Sequence, residues 1–106
     1  MEGFRDQGMN IEFVDGAEED LRELNQKQLR IIKARIKELK DDPTGHDDSK
    51  LIRIKGRDIY RLEIKEERRG EIDHRAIFDI ENGKIRIYSV FYREPGYPDE
   101  EIAERF

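Results

Sequence analysis

The sequence predicts an α+β fold: an N-terminal strand and a helical hairpin packed on a mainly antiparallel sheet of four to five strands. Three observations carry this. Leu29, Ile32, Ile36 and Leu39 recur at the spacing of one buried helical stripe. From Leu51 onward the chain reads as successive strands, clearest where Tyr60, Leu62 and Ile64 alternate with Arg61, Glu63 and Lys65. The runs Ile72–Ile80 and Lys84–Tyr92 flank Glu81-Asn82-Gly83. Asn-Gly between two apolar strands signals a tight type I′ hairpin, because both central residues need positive φ.

The elements follow in order. Residues 1–8 read as an unstructured lead, with a single domain over 9–106 and Met9 as a plausible second start. Met9, Ile11 and Phe13 alternate with polar residues, as in a half-buried strand. Asp15 three residues before Glu18 resembles a capping box and opens a first helix over about Ala17–Leu24. Asn25-Gln26 breaks it, and a second helix runs to about Lys40, where Asp42-Pro43-Thr44-Gly45 ends it. Strands are expected at Leu51–Lys55, with Gly56 in a turn, at Ile59–Glu66, and on both sides of Asn82-Gly83. Glu67-Arg68-Arg69-Gly70 forms a charged loop. Pro95 and Pro98 stop the last strand, and Asp99–Phe106 has the composition of a short acidic helix.

A chain of 106 residues supports one modest core. Charged residues make up 44% of it, so the surface is densely charged. It has no cysteine, which excludes disulfides and thiolate zinc sites and fits a reducing cytoplasm. No apolar run is long enough for a membrane span or signal peptide. The net charge of −5 argues against nucleic acid as a partner until its distribution is considered. Lys27, Arg30, Lys33, Arg35, Lys37 and Lys40 crowd the second helix against Glu38 alone, and residues 50–93 hold twelve basic and eight acidic side chains. Screening acts over roughly 8 Å at physiological salt, so such local patches outweigh the total.

Arg61, Arg75 and Arg93 sit on three separate strand-like segments, and Tyr97 follows four residues after the last. Guanidinium groups converging beside a phenol suit a phosphate. A plainer reading makes the arginines solvated strand residues bridged to Glu63 and Asp79, and Tyr97 a packing aromatic. Strict alternation puts Ile85, Ile87, Ser89 and Phe91 on the side of Arg93, so either a bulge intervenes or that face is partly apolar. His46 with Asp47 and Asp48 lacks the spacing of a metal site, and no metal or other cofactor is expected.

In this order the residues resemble the RelE/ParE toxin superfamily of toxin–antitoxin systems, on its RelE-like branch. The likeness rests on Leu51-Ile52-Arg53-Ile54-Lys55-Gly56, then Asp58-Ile59-Tyr60-Arg61-Leu62, then Asp73-His74-Arg75-Ala76-Ile77-Phe78-Asp79, then Val90-Phe91-Tyr92-Arg93. It implies a ribosome-dependent, metal-independent mRNA endonuclease in which the ribose 2′-hydroxyl attacks its own 3′-phosphate. It also implies a cognate antitoxin partner. By this resemblance Arg75 and Arg93 hold the phosphate, Arg61 and Lys55 assist, Arg53 and His74 lie on the substrate side, and Tyr97 stacks on or orients the nucleotide. The basic face of the second helix would meet ribosomal RNA. Where those nucleases place a second lysine, this chain has Glu63. Glu63, His74 and Tyr97 remain open as the catalytic base, since arginine is a poor proton acceptor. The acidic balance and Glu63 leave two alternatives: a ParE-like inhibitor of DNA gyrase, or a degenerate member that only binds its antitoxin.

Overall fold

A computed structural model describes residues 10–67, 70, 73–93 and 96–106. The expected lead at 1–8, Met9, the tip of the charged loop at Arg68-Arg69, Ile72 and Pro95 lie outside the described residues. The elements are β1 (Asn10–Phe13), α1 (Asp15–Arg22), α2 (Gln26–Lys37, continued by a 3-10 turn over Glu38–Lys40), β2 (Ser49–Ile54), β3 (Arg57–Ile64), β4 (His74–Glu81), β5 (Lys84–Tyr92) and α3 (Asp99–Ala103). The α+β architecture expected from the sequence is therefore present. The five strands form one sheet in the order β1-β5-β4-β3-β2. β1 runs parallel to β5 and every other pairing is antiparallel. Among the described residues, no helix is long and apolar enough to cross a membrane.

The two longer helices, α1 and α2, pack on one face of the sheet. Ile32, Ile36 and Leu39 of the α2 stripe are buried with Ala17 and Leu21 of α1 against Leu62, Ile64, Ala76, Phe78, Ile85, Ile87 and Val90. Burying each of the leucines, isoleucines, Val90 and Phe78 contributes roughly 1.5–3 kcal/mol. Before α1 the chain turns at Val14, and no side chain caps that helix. The capping box instead forms at the start of α2. Asn25 accepts from the Gln28 amide at 2.8 Å, and the Gln28 side chain returns to the Asn25 amide at 3.2 Å. Asp15/Glu18 and Asn25/Gln28 both fit the sequence pattern, but only the second pair closes it.

The opposite face carries a second, smaller core in which Ile54, Ile59, Ile77 and Phe91 meet Ile102 of α3. One irregularity lets β5 serve both cores. Ile77 pairs with Ser89 but Phe78 pairs with Ile87, so Tyr88 is an extra residue in the ladder. Ile85 and Ile87 face the helices; after the bulge, Ser89 and Phe91 face the other way. The parity conflict seen in the sequence is thus resolved by a bulge, on a face that is also partly apolar.

Two hairpins close as tight turns with positive φ at both central residues. Asn82 and Gly83 stand at 52° and 75°, as the sequence predicts. Lys55 and Gly56 stand at 53° and 80°, where only the glycine announced the turn.

Candidate functional site

Arg61 from β3, Arg75 from β4, Arg93 just past β5 and Tyr97 beyond it line one cavity of about 140 Å³. Its apolar walls are Ile52, Ile54, Ile77, Phe91 and Ile102. Strand alternation explains the gathering. Arg75 shares its face with Ile77 on β4, and Arg61 shares it with Ile59 on β3. Arg75 pairs across to Phe91, and Arg93 lies two residues beyond Phe91, on the side the bulge selects. The Arg93 amide then donates to the Asp73 carbonyl at 2.8 Å, fixing the exit of the strand. The two surfaces of the sheet do not divide Arg75 from Arg93.

Glu63 is the counterweight. It sits directly across from Arg75 in the β3–β4 ladder and is buried. Its Oε2 takes Arg61 at 3.2 Å and lies 3.8 Å from Arg75, while its Oε1 lies 3.2 Å from the Lys50 ammonium. One carboxylate thus answers three cations. The guanidinium donors are not exhausted: Nε of Arg61 and Nε of Arg75 are buried without a hydrogen-bond partner. Unfilled charged donors on an apolar floor favour an incoming anion, because low local polarity strengthens the attraction.

Tyr97 faces the cavity with its ring, but its hydroxyl points elsewhere. It donates to Asp20 Oδ1 at 2.6 Å. Burial and that hydrogen bond push the phenol up to about 12. The ring packs against Phe91 at 4.9 Å between centroids, and the Arg105 guanidinium lies 5.0 Å from its centre.

Three residues expected on the substrate side stand apart from the cavity. Arg53 alternates with Ile52 and Ile54, so it faces the other side of β2, where it pairs with Asp58 at 2.9 Å. His74 precedes Arg75 and therefore points to the helical side. There it lines a separate cleft with Asp20, Glu23, Leu24 and Gln28, its ring edge-on to Tyr92. Desolvation pulls its pKa below the ordinary value, with Glu66 and Asp73 acting in the opposite direction. Lys55 occupies the β2–β3 turn and pairs with Glu100 at 3.4 Å. His46 binds Glu38 at 2.9 Å and accepts from the Asp48 amide, and among the described residues no cluster of metal-ligating side chains occurs.

Four contributors went unread in the sequence. Lys50 belongs to β2, which starts two residues earlier than its alternation suggested. Asp99, first residue of α3, also lines the cavity. Asp20 and Arg105 hold Tyr97 from below: Arg105 Nη1 donates to Asp20 Oδ2 at 2.8 Å. The one available signal was Asp20 itself, a carboxylate adjoining the apolar positions Ala17, Leu21 and Leu24.

No protein-family model matches the sequence, and no curated protein matches it. Solved structures do share the fold. The isolated RelE toxin of E. coli matches with a TM-score of 0.64 at 17% identity, over 92% of this chain and 97% of that one. A chain of the archaeal RelE–RelB complex from Pyrococcus horikoshii matches with a TM-score of 0.63 at 17% identity, over 84% of this chain and 99% of that one. A chain of the RelBE2 toxin–antitoxin complex from Mycobacterium tuberculosis matches with a TM-score of 0.61 at 20% identity, over 81% of this chain and 99% of that one. The chain has the fold of the RelE-type toxins.

Proposed function

We propose that this chain is the toxin of a toxin–antitoxin module and a RelE-like, ribosome-dependent mRNA endonuclease. One observation carries the reading: arginines from three strand segments line a single cavity whose charged donors are only partly engaged. In this reading the cavity takes the scissile phosphate. Arg61, Arg75 and Arg93 spread their charge over its oxygens as the ribose 2′-hydroxyl attacks. The phosphorus–5′-oxygen bond breaks, the leaving oxygen takes a proton from water, and the products are a 2′,3′-cyclic phosphate and a free 5′-hydroxyl. Each fixed cation on such developing charge is worth roughly 10²-fold or more.

Glu63 is the base this geometry favours. His74 lies on the other face of the sheet, and the Tyr97 phenol is both engaged by Asp20 and held as a neutral group. When a phosphate draws Arg61 and Arg75 away, Glu63 is freed to accept the 2′-hydroxyl proton. Tyr97 then serves as a wall of the cavity rather than as an acid or base. The neighbours solved as complexes of RelE with RelB support a small antitoxin as partner for this chain.

The test is direct. Programmed ribosomes incubated with the protein should yield new RNA ends within the decoded codon, and Arg75→Ala or Arg93→Ala should abolish them while the protein still folds. The pairing of Glu63 with Arg61 and Arg75 supports a second reading, in which the cluster is partly neutralised from within and the protein inhibits DNA gyrase instead. Intact message together with lost supercoiling activity would select that reading.

A further inference from the structure

Lys50 is the cation that the cavity does not account for. It stands opposite Arg61 in the β2–β3 register and on the same face. It is absent from the cavity wall, beyond Glu63 and toward the sheet edge. Its side chain is 56% exposed, against 27% for Arg61 and for Arg75. Neutralising Glu63 does not require it, since two guanidiniums already address the other carboxylate oxygen. Among the described residues β2 is the last strand of the sheet, and none covers its outer side.

We propose that Lys50 binds a second phosphate of the RNA, the neighbour of the one held in the cavity, so that the strand leaves the site over the β2 edge. The inference rests on the nuclease reading above and adds the path of the substrate to it. In the free protein Lys50 rests on Glu63. On binding, it turns outward to the backbone while the cavity arginines move to the scissile phosphate. The substrate is then a chain with at least two consecutive phosphates. A single charge-assisted contact of this kind is worth about tenfold.

The experiment neutralises one phosphate at a time. Programmed ribosomes carry messages with a methylphosphonate at either phosphate flanking the scissile one, and cleavage is measured for the wild type, Lys50→Met and Lys50→Arg. The expected result is that one of the two substitutions slows the wild type and Lys50→Arg about tenfold and leaves Lys50→Met unchanged relative to its own unmodified message. A Lys50 that serves only to hold Glu63 would slow Lys50→Met on every message alike. Equal penalties in wild type and Lys50→Met, or no penalty in the wild type, overturn the proposal while leaving the nuclease reading intact. A wild type that cuts no programmed message sinks the nuclease reading, and the second phosphate contact falls with it.

Discussion

Asp20 and Tyr97 are joined by a 2.6 Å hydrogen bond that ties the segment after the last strand to the first helix. The same carboxylate accepts from the Val90 amide at 2.9 Å and from Arg105. Arg105 in turn donates to the Tyr88 carbonyl at 3.1 Å. β1 reaches only Lys84–Ile87 of β5. Two side chains therefore satisfy backbone groups of β5 that lie beyond the reach of β1. Unpaired strand edges invite association with other chains, and this one is partly closed from within.

Asp20→Ala should therefore destabilise the fold by about 3 kcal/mol, the usual effect of stranding one partner of a buried ion pair. Urea denaturation measures it. A loss below about 1 kcal/mol would mean that water replaces the carboxylate without penalty.

Glu63→Gln separates the roles available to that carboxylate. It removes the charge opposing three cations, so binding of a message blocked by 2′-O-methylation should tighten. Cleavage should nevertheless fall by roughly 10²–10⁴-fold, the range for loss of a general base. Faster cleavage together with tighter binding would show that Glu63 only restrains the cluster.

His74 makes stability depend on pH. Its folded-state pKa is lowered below 6.5, chiefly by burial, so the unfolded chain binds its proton first as pH falls. Its stabilising contribution is complete above 6.5 and declines as pH drops toward the folded value. Between pH 7 and pH 5 the thermal midpoint should fall more for the wild type than for His74→Gln. Equal slopes would remove His74 as the cause.

Gly56→Ala should cost about 1–2 kcal/mol. The backbone there is at φ +80, and nothing lies within 4 Å of the added methyl, so the penalty is one of backbone conformation alone. Gly56→Asn, a residue that tolerates this region, should recover part of the loss in the same denaturation assay.

What the sequence made legible was local. The Asn82-Gly83 turn, the stripe from Leu29 to Leu39 and the alternation of Arg61 with Leu62 each depend on neighbours a few residues away. The convergence of arginines from separate strands was raised as well, but alternation alone set Arg93 on the side of Ile85 and Ile87, and the bulge at Tyr88 resolves that conflict. The rest depended on partners far apart in the chain. Asp20 meets Val90, Tyr97 and Arg105 across more than half the sequence, and no periodicity announces such a meeting. Lys50 was missed because the start of β2 was set by pairing with β3 rather than by its own apolar pattern. Arg53 and His74, placed on the substrate side by resemblance, stand away from the cavity because each neighbours a residue facing it, and a period of two sends neighbours to opposite faces. The capping box failed at Asp15 because α1 begins there, with Val14 as its N-cap and Asp15 already in its first turn.

The extra residue at Tyr88 reaches further than its place in the ladder. Upstream of it the odd-numbered residues Ile85 and Ile87 face α1 and α2; downstream Val90 takes that side and Phe91 faces the other. One more inserted residue between Ile87 and Val90 would turn Phe91 and Arg93 toward the helices and part the Arg93 guanidinium from those of Arg61 and Arg75, with the identity of every wall residue left unaltered. The gathering of these side chains is in this sense a matter of counting along a single strand, and a lineage could gain or lose it without substituting any residue of the cavity wall.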